Sequence, residues 1–216
     1  VLYEATLGLI CPLARVFLKL RVIGAENLPA EGGVILAANH VSYLDIPLLA
    51  CSVPRRVDFM GKMELFRNPL TGALFRRLGG FPIRRGEVDR SALEEAVRRL
   101  REGRVIAIYP EGTRSRDGVL RTGKAGIGML VARSGARVVP AYIRGTDRWR
   151  RFSSVTVTLA PAMDFSGLLS GLEPKNRREI YDRIVREIMG GIGRLSELSA
   201  ISYQPSAKTQ NPKADS

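Results

Sequence analysis

Histidine is almost absent from this 216-residue chain, which carries only His40. A single imidazole excludes any multi-histidine metal centre. Cysteine is nearly as scarce: Cys11 and Cys51 are too few for a disulfide framework. One bridge is possible, but without Cys-rich spacing a reducing compartment and free thiols are the expectation. Two cysteines and one histidine at 11, 40 and 51 do not follow zinc-ligand spacing, so neither a metal nor another cofactor is expected. Long apolar runs are missing too. The cleanest stretch near the N-terminus, residues 5–14, is ten residues long and contains Pro12, whereas a spanning helix needs about 20. No transmembrane helix and no intact signal peptide are expected in the residues present.

Acidic residues are in deficit. Thirty-four Lys and Arg stand against 21 Asp and Glu, leaving +13, and 28 of the cations are Arg. So many guanidinium groups point to anionic partners: phosphates, nucleic acid or an acidic lipid surface. Aromatics make up only 6%, which counts against the interleaved aromatic and basic surface of a nucleic-acid binder. Otherwise the composition is ordinary. With 45% apolar and 25% charged residues, the chain suits one globular domain with a sizeable core, and not a polytopic membrane protein or a disordered chain.

The pattern along the chain alternates strands and helices. Residues 1–22 read as an apolar and basic helix kinked or started by Pro12. Residues 34–38 and 105–109 are short unbroken apolar runs that fit buried strands. Residues 137–143 read as a third strand and 154–159 as a half-buried fourth. Helices are expected from Ser42 to about Cys51, over 123–133, and over 174–189 with an apolar stripe. Ser91 and Glu94 form a capping box for a helix running to Glu102, with Gly103 as its stop. From about residue 199 the composition is that of a disordered tail. The whole predicts an α/β domain with a mixed or largely parallel sheet, whose ligands sit outside the carboxyl ends of the strands.

Two of those strand ends carry the residues able to do chemistry. His40 follows the first strand, and Asp45 lies five residues on. The carboxylate can fix the imidazole tautomer and leave the other nitrogen to take a proton from an alcohol. Equally, Asp45 can be an acid favoured at a helix start beside a turn histidine. Glu111-Gly112-Thr113-Arg114 follows the second strand with a carboxylate, a freed backbone, a hydroxyl and a guanidinium, a set suited to a polyol phosphate. The plain alternative is a solvated turn. Lys124, between two glycines at a helix start, can add a point charge for phosphate, although no P-loop pattern is present. Gly79-Gly80 reads as a turn leading to Arg84-Arg85. Paired arginines recur at 55–56, 76–77, 98–99, 150–151 and 177–178, so most pairs read as solvated surface. No serine lies in a Gly-x-Ser-x-Gly elbow, which disfavours a covalent hydrolase.

The order of these segments carries more than any one of them. Asn-His-x-x-x-x-Asp, Gly-x-x-x-Ile-x-Arg, Pro-Glu-Gly-Thr-Arg-Ser and Val-Val-Pro-Ala-Tyr-Ile together resemble the glycerolipid acyltransferase family over about residues 20–165. The first and third motifs match closely. The second is looser, with Pro82 and Arg84 in place of the residues many members carry. The resemblance implies that His40 is the general base on the acceptor hydroxyl and that Asp45 orients it. By the same analogy Arg85, Glu111, Gly112, Thr113 and Arg114 hold a glycerol phosphate, Lys124 joins them, and Pro140 belongs to the acyl-chain or acceptor pocket. The implied reaction is direct transfer from acyl-CoA or acyl carrier protein to lysophosphatidate, without an acyl-enzyme. Glycerol 3-phosphate, another lysophospholipid or a glycolipid are acceptor alternatives, and a basic non-catalytic protein binding lipid or nucleic acid is a more remote one.

It also implies an organisation. Residues 1–22 would be a membrane-contacting helix, 23–198 the acyltransferase domain and 199–216 a tail. The location would be peripheral or monotopic on the cytoplasmic face of an anionic membrane, with no nucleic-acid partner. Arg148-Trp149-Arg150-Arg151 would suit such an interface or a charged solvated loop equally.

Overall fold

A computed structural model describes residues 2–84, 89–115, 117–147 and 154–201. Arg85, the cluster at 148–151 and the tail from 202 lie outside the described residues. The chain runs α1 (Leu2–Phe17), β1 (Arg21–Ile23), β2 (Val34–Ala38), α2 (Asp45–Ala50), β3 (Val57–Lys62), α3 (Pro69–Arg77), β4 (Gly80–Ile83), α4 (Arg90–Arg101), β5 (Val105–Ile108), α5 (Ala125–Ser134), β6 (Arg137–Arg144), β7 (Thr156–Leu159), α6 (Ser166–Leu169) and α7 (Arg177–Ile201). Seven strands form one sheet in the order β1-β7-β6-β2-β5-β3-β4. Every pairing is parallel except β6 with β7.

The apolar runs in the central strands feed two cores at once, because successive side chains point to opposite faces. Val34, Leu36 and Ala38 of β2 join Leu48, Leu49 and Ala14 on one face, beneath α1 and α2. Ile35 and Ala37 join Ala96, Leu130, Ile184 and Ile188 on the other, beneath α4, α5 and α7. β2 lies between β5 and β6, so its carboxyl end opens at the middle of the sheet.

Several expectations need correction. Arg21 and Val22, expected as the end of the first helix, belong instead to β1, and Lys19 makes the turn with φ at +43°. β3 was not anticipated, because the fully buried Asp58 interrupts its apolar run. β4 occupies the expected Gly79-Gly80 turn, and its Pro82 is tolerated because β4 is an edge strand. The cap of α4 is Asp89, which accepts from the Ala92 N–H at 3.1 Å, while the Ser91 hydroxyl donates to Asp89. The Arg84 N–H, followed by those two donors, holds the Asp89 carboxyl down to about 2. α7 runs on to Ile201, past the expected start of the tail.

The cysteines are not free: Cys11 of α1 is disulfide-bonded to Cys51, just beyond α2, with the Cα atoms 5.4 Å apart. Side-by-side packing of the two helices brings together residues that spacing along the chain left unconnected. Some of the paired arginines are likewise structural. Arg99 and Arg104 donate to Asp58 at 2.9 and 3.0 Å. Arg55 donates to the carbonyls of Pro29 and Gly32, both at 2.7 Å, and to that of Gly103. These groups hold the amino end of the sheet, away from His40.

Candidate active site

The carboxyl end of β2 is built around a buried ion-pair geometry. The His40 Nδ1–H donates to Asp45 Oδ2 at 2.8 Å, and the two residues are 6% and 0% exposed. The same carboxylate oxygen accepts the N–H groups of Val41 and Ser42, each at 2.8 Å. Its partner, Oδ1, accepts the Thr146 hydroxyl at 2.7 Å. Four donors thus offset the cost of burying the charge, which unpaired would be several kcal/mol. Both sequence readings of Asp45 therefore describe it: it is the first residue of α2, and its carboxylate also reaches the histidine. With Nδ1 engaged, Nε2 is the ring nitrogen left to meet a ligand.

Three further contacts hold His40 and the strand end that carries it. Its ring stacks on Tyr109, centroids 4.0 Å apart and planes 17° from parallel. Its carbonyl accepts the Ser115 N–H at 2.8 Å, tying the β2 end to the loop after β5. Next to it the Asn39 side chain bridges β2 to β6, donating to the Ile143 carbonyl at 2.9 Å and accepting its N–H at 2.7 Å. The Tyr109 hydroxyl is buried without a partner. Burial, and then the charge of Asp45, pushes its ionisation well above the ordinary value, so it stays a neutral phenol.

The loop after β5 supplies the polar groups. Glu111 is buried; its Oε2 accepts the Arg121 N–H at 3.1 Å and its Oε1 has no partner. Gly112 adopts φ +74°, and a Cβ there would meet the Lys124 side chain at 2.9 Å. Glycine is thus favoured by conformation, while the flexible end of Lys124 can move aside for a Cβ. Lys124 caps α5, and its N–H donates to the Pro110 carbonyl at 2.9 Å. Thr113 and Arg114 are exposed. Arg114 lies over the Tyr43 ring at 3.7 Å and donates to its hydroxyl at 2.9 Å.

His40, Asp45, Glu111, Gly112, Thr113, Arg114 and Lys124 therefore share one end of the sheet. Pro140 does not join them: it is buried mid-strand against Gly191 of α7, on the face away from α1 and α2.

Residues 19–144, more than half of the chain, match the family model described as Acyltransferase. This chain belongs to the acyltransferase family. It is 32% identical over 137 residues to 1-acyl-sn-glycerol-3-phosphate acyltransferase of Bacillus subtilis, an alignment covering 61% of this chain and 67% of that protein. It is 34% identical over 140 residues to lyso-ornithine lipid O-acyltransferase of Pseudomonas aeruginosa, covering 64% of this chain and 52% of that protein. The crystal structure of the 1-acyl-sn-glycerophosphate acyltransferase of Thermotoga maritima superposes with a TM-score of 0.62 at 28% identity, covering 89% of this chain and 82% of that one.

In this acyltransferase the candidate residues gather at the strand ends as expected, and three residues that support them carry no signal in the sequence. Thr146 stands two residues beyond β6, after the Gly145 turn with φ at +90°. It meets Asp45 across 101 positions of sequence, and no local signal marks such a pair. Asn39 opens the first motif and Tyr109 immediately precedes the third, but their roles as strand bridge and stacking platform are tertiary.

Proposed function

We propose that this acyltransferase is a 1-acylglycerol-3-phosphate O-acyltransferase, moving a fatty acyl group from acyl-CoA or acyl carrier protein to lysophosphatidate and yielding phosphatidate. The observation that carries this reading is the buried His40–Asp45 pair at 2.8 Å, opening beside a Glu-Gly-Thr-Arg loop. The acceptor hydroxyl gives its proton to His40 Nε2 as its oxygen attacks the thioester carbonyl. Asp45, held by four donors, stabilises the imidazolium that forms. The tetrahedral intermediate then expels the thiol sulfur, which takes the proton back from the imidazolium. No covalent acyl-enzyme is needed.

Arg114 and Lys124 supply charge for the acceptor phosphate, with Arg85 as a further candidate outside the described residues. The Gly112 N–H is already taken by the Tyr109 carbonyl at 2.9 Å, so glycine serves there to shape the turn, while Thr113 offers a hydroxyl and the unpartnered Glu111 Oε1 is an acceptor for a glycerol hydroxyl. Pro140 acts from behind the site, through its packing on α7. No helix among the described residues is long and apolar enough to cross a membrane. α1 exposes Leu9, Leu13 and Val16 and is assigned to the surface of a bilayer, where both lipid substrates reside. The cytoplasmic leaflet, with its anionic lipids, suits the +13 charge.

The test is thiol release from a palmitoyl thioester, with and without lysophosphatidate, for the parent and His40→Ala. Acceptor-dependent release should fall by 10² to 10⁴ in the variant. A loss of less than tenfold in a folded variant would refute the general base. Acceptor-independent release would make the protein a thioesterase instead. The Pseudomonas relative favours a second reading, the same chemistry on a lyso-ornithine lipid. Competition between the two acceptors in one assay decides it.

A further inference from the structure

Apolar surface is not confined to α1. Phe59 lies on the same side of β3 as Val57, whose side chain belongs to the core under α1 and α2. It meets Phe75 of α3 edge-on, ring centroids 6.3 Å apart. α3 therefore roofs the same face of the sheet as α1 and α2. Its outer side is bare: Leu70 is 83% exposed, Leu74 45%, and Leu65 in the preceding helical turn 41%. Leu70 and Leu74 stand four residues apart in α3 and so share one stripe, and Arg67 lies just ahead of that helix.

Beside this ridge a cavity of about 250 Å³ is lined by Lys62, Met63, Glu64, Arg67 and Arg84. Three cations face one acid there. Lys62 ends β3 and Arg84 follows β4, which is the end of the sheet that carries His40. On the opposite face α7 exposes Leu198 and Ile201 at its carboxyl end, but its two neighbours differ. α4 and α5 expose no large apolar side chain among the described residues, and the outer side of α4 is an ion-pair lattice of Glu95, Arg98 and Glu102.

We propose that the ridge of Leu65, Leu70 and Leu74, with Lys62, Arg67 and Arg84 beside it, is a second docking surface for an anionic lipid bilayer. It rests on the reading that α1 contacts the membrane, and it makes the whole α1–α3 face the contact, not one helix. Apolar side chains flanked by cations match the bilayer boundary in both of its properties, its hydrocarbon edge and its negative headgroups. Two separated contacts also fix orientation, which a single helix lying on the surface does not.

The experiment is sedimentation with vesicles of phosphatidylcholine, with and without phosphatidylserine, for the parent, Leu70→Asp/Leu74→Asp, Arg67→Glu and Leu9→Asp/Leu13→Asp. The α3 double variant should lose at least tenfold in binding while its thermal midpoint stays near that of the parent, since both leucines are exposed. Arg67→Glu should weaken binding only to the phosphatidylserine vesicles. Loss in the α1 variant with full binding in the α3 variant would overturn this proposal and leave the membrane reading standing. A parent that sediments with neither vesicle would overturn both. A parent dimer in ultracentrifugation that Leu70→Asp/Leu74→Asp dissociates, without any change in vesicle binding, would assign the ridge to a second copy of the chain and also overturn the proposal.

Discussion

Asp45 and Asp58 are both fully buried, at opposite ends of one sheet, and they do opposite work. Asp58 sits at the amino end with Arg99 at 2.9 Å and Arg104 at 2.8 Å. Guanidinium groups do not release protons in proteins, so this carboxylate has permanent countercharges and serves as a fastener between β3, α4 and β5. Asp45 has no arginine. Its donors are two backbone amides, a hydroxyl and an imidazole. Burial alone thus says little about role: what a buried carboxylate is paired with separates a fastener from a candidate for proton transfer.

That contrast can be broken in order of effect. Asp45→Asn should leave the fold intact and lower kcat by about 10⁴, as loss of the carboxylate frees the wrong tautomer. The check is steady-state turnover alongside circular dichroism. Asp58→Ala should do the reverse, destabilising the fold by roughly 3 kcal/mol because two guanidinium groups lose their countercharge. Its denaturant midpoint should fall while the pH profile of turnover in the folded enzyme stays put; a shifted profile would mean that the two ends communicate. Thr146→Val should cost about tenfold in kcat with the Michaelis constant for the donor unchanged, the equivalent of ~1.4 kcal/mol. Thr146→Ser should restore it, and a variant whose only defect is a lower melting temperature would reduce Thr146 to packing.

The two ends also differ in how much of them was legible. The carboxyl end, with the candidate site, was, because ligands in α/β sheets gather at strand ends and the His40–Asp45 spacing closes within a single turn. Glu111, Gly112 and Lys124 follow in one loop, so their proximity is partly local. The amino end was not. Asp58 disguised β3, since a charge in the middle of a short apolar run reads as a break in it. Pro82 and two glycines disguised β4 for the same reason. Arg99, Arg104 and Thr146 reach their partners across 41 to 101 positions of sequence, where periodicity carries no information. Asp89 displaced Ser91 as a cap because its carboxylate also serves the Arg84 N–H, a link back to β4 that a capping-box pattern does not contain.

The bridge between Cys11 and Cys51 closes a covalent ring around β1, β2, His40 and Asp45, with a sequence separation of 40. Such a ring persists after the fold is lost. The denatured chain then has fewer ways to disperse its motif, a restriction worth about 4 kcal/mol in the chain-entropy picture for a ring of this length. Part of what stabilises the fold that holds His40 against Asp45 is therefore a topological constraint on the denatured ensemble, and thiol reagents reach that contribution without touching either residue.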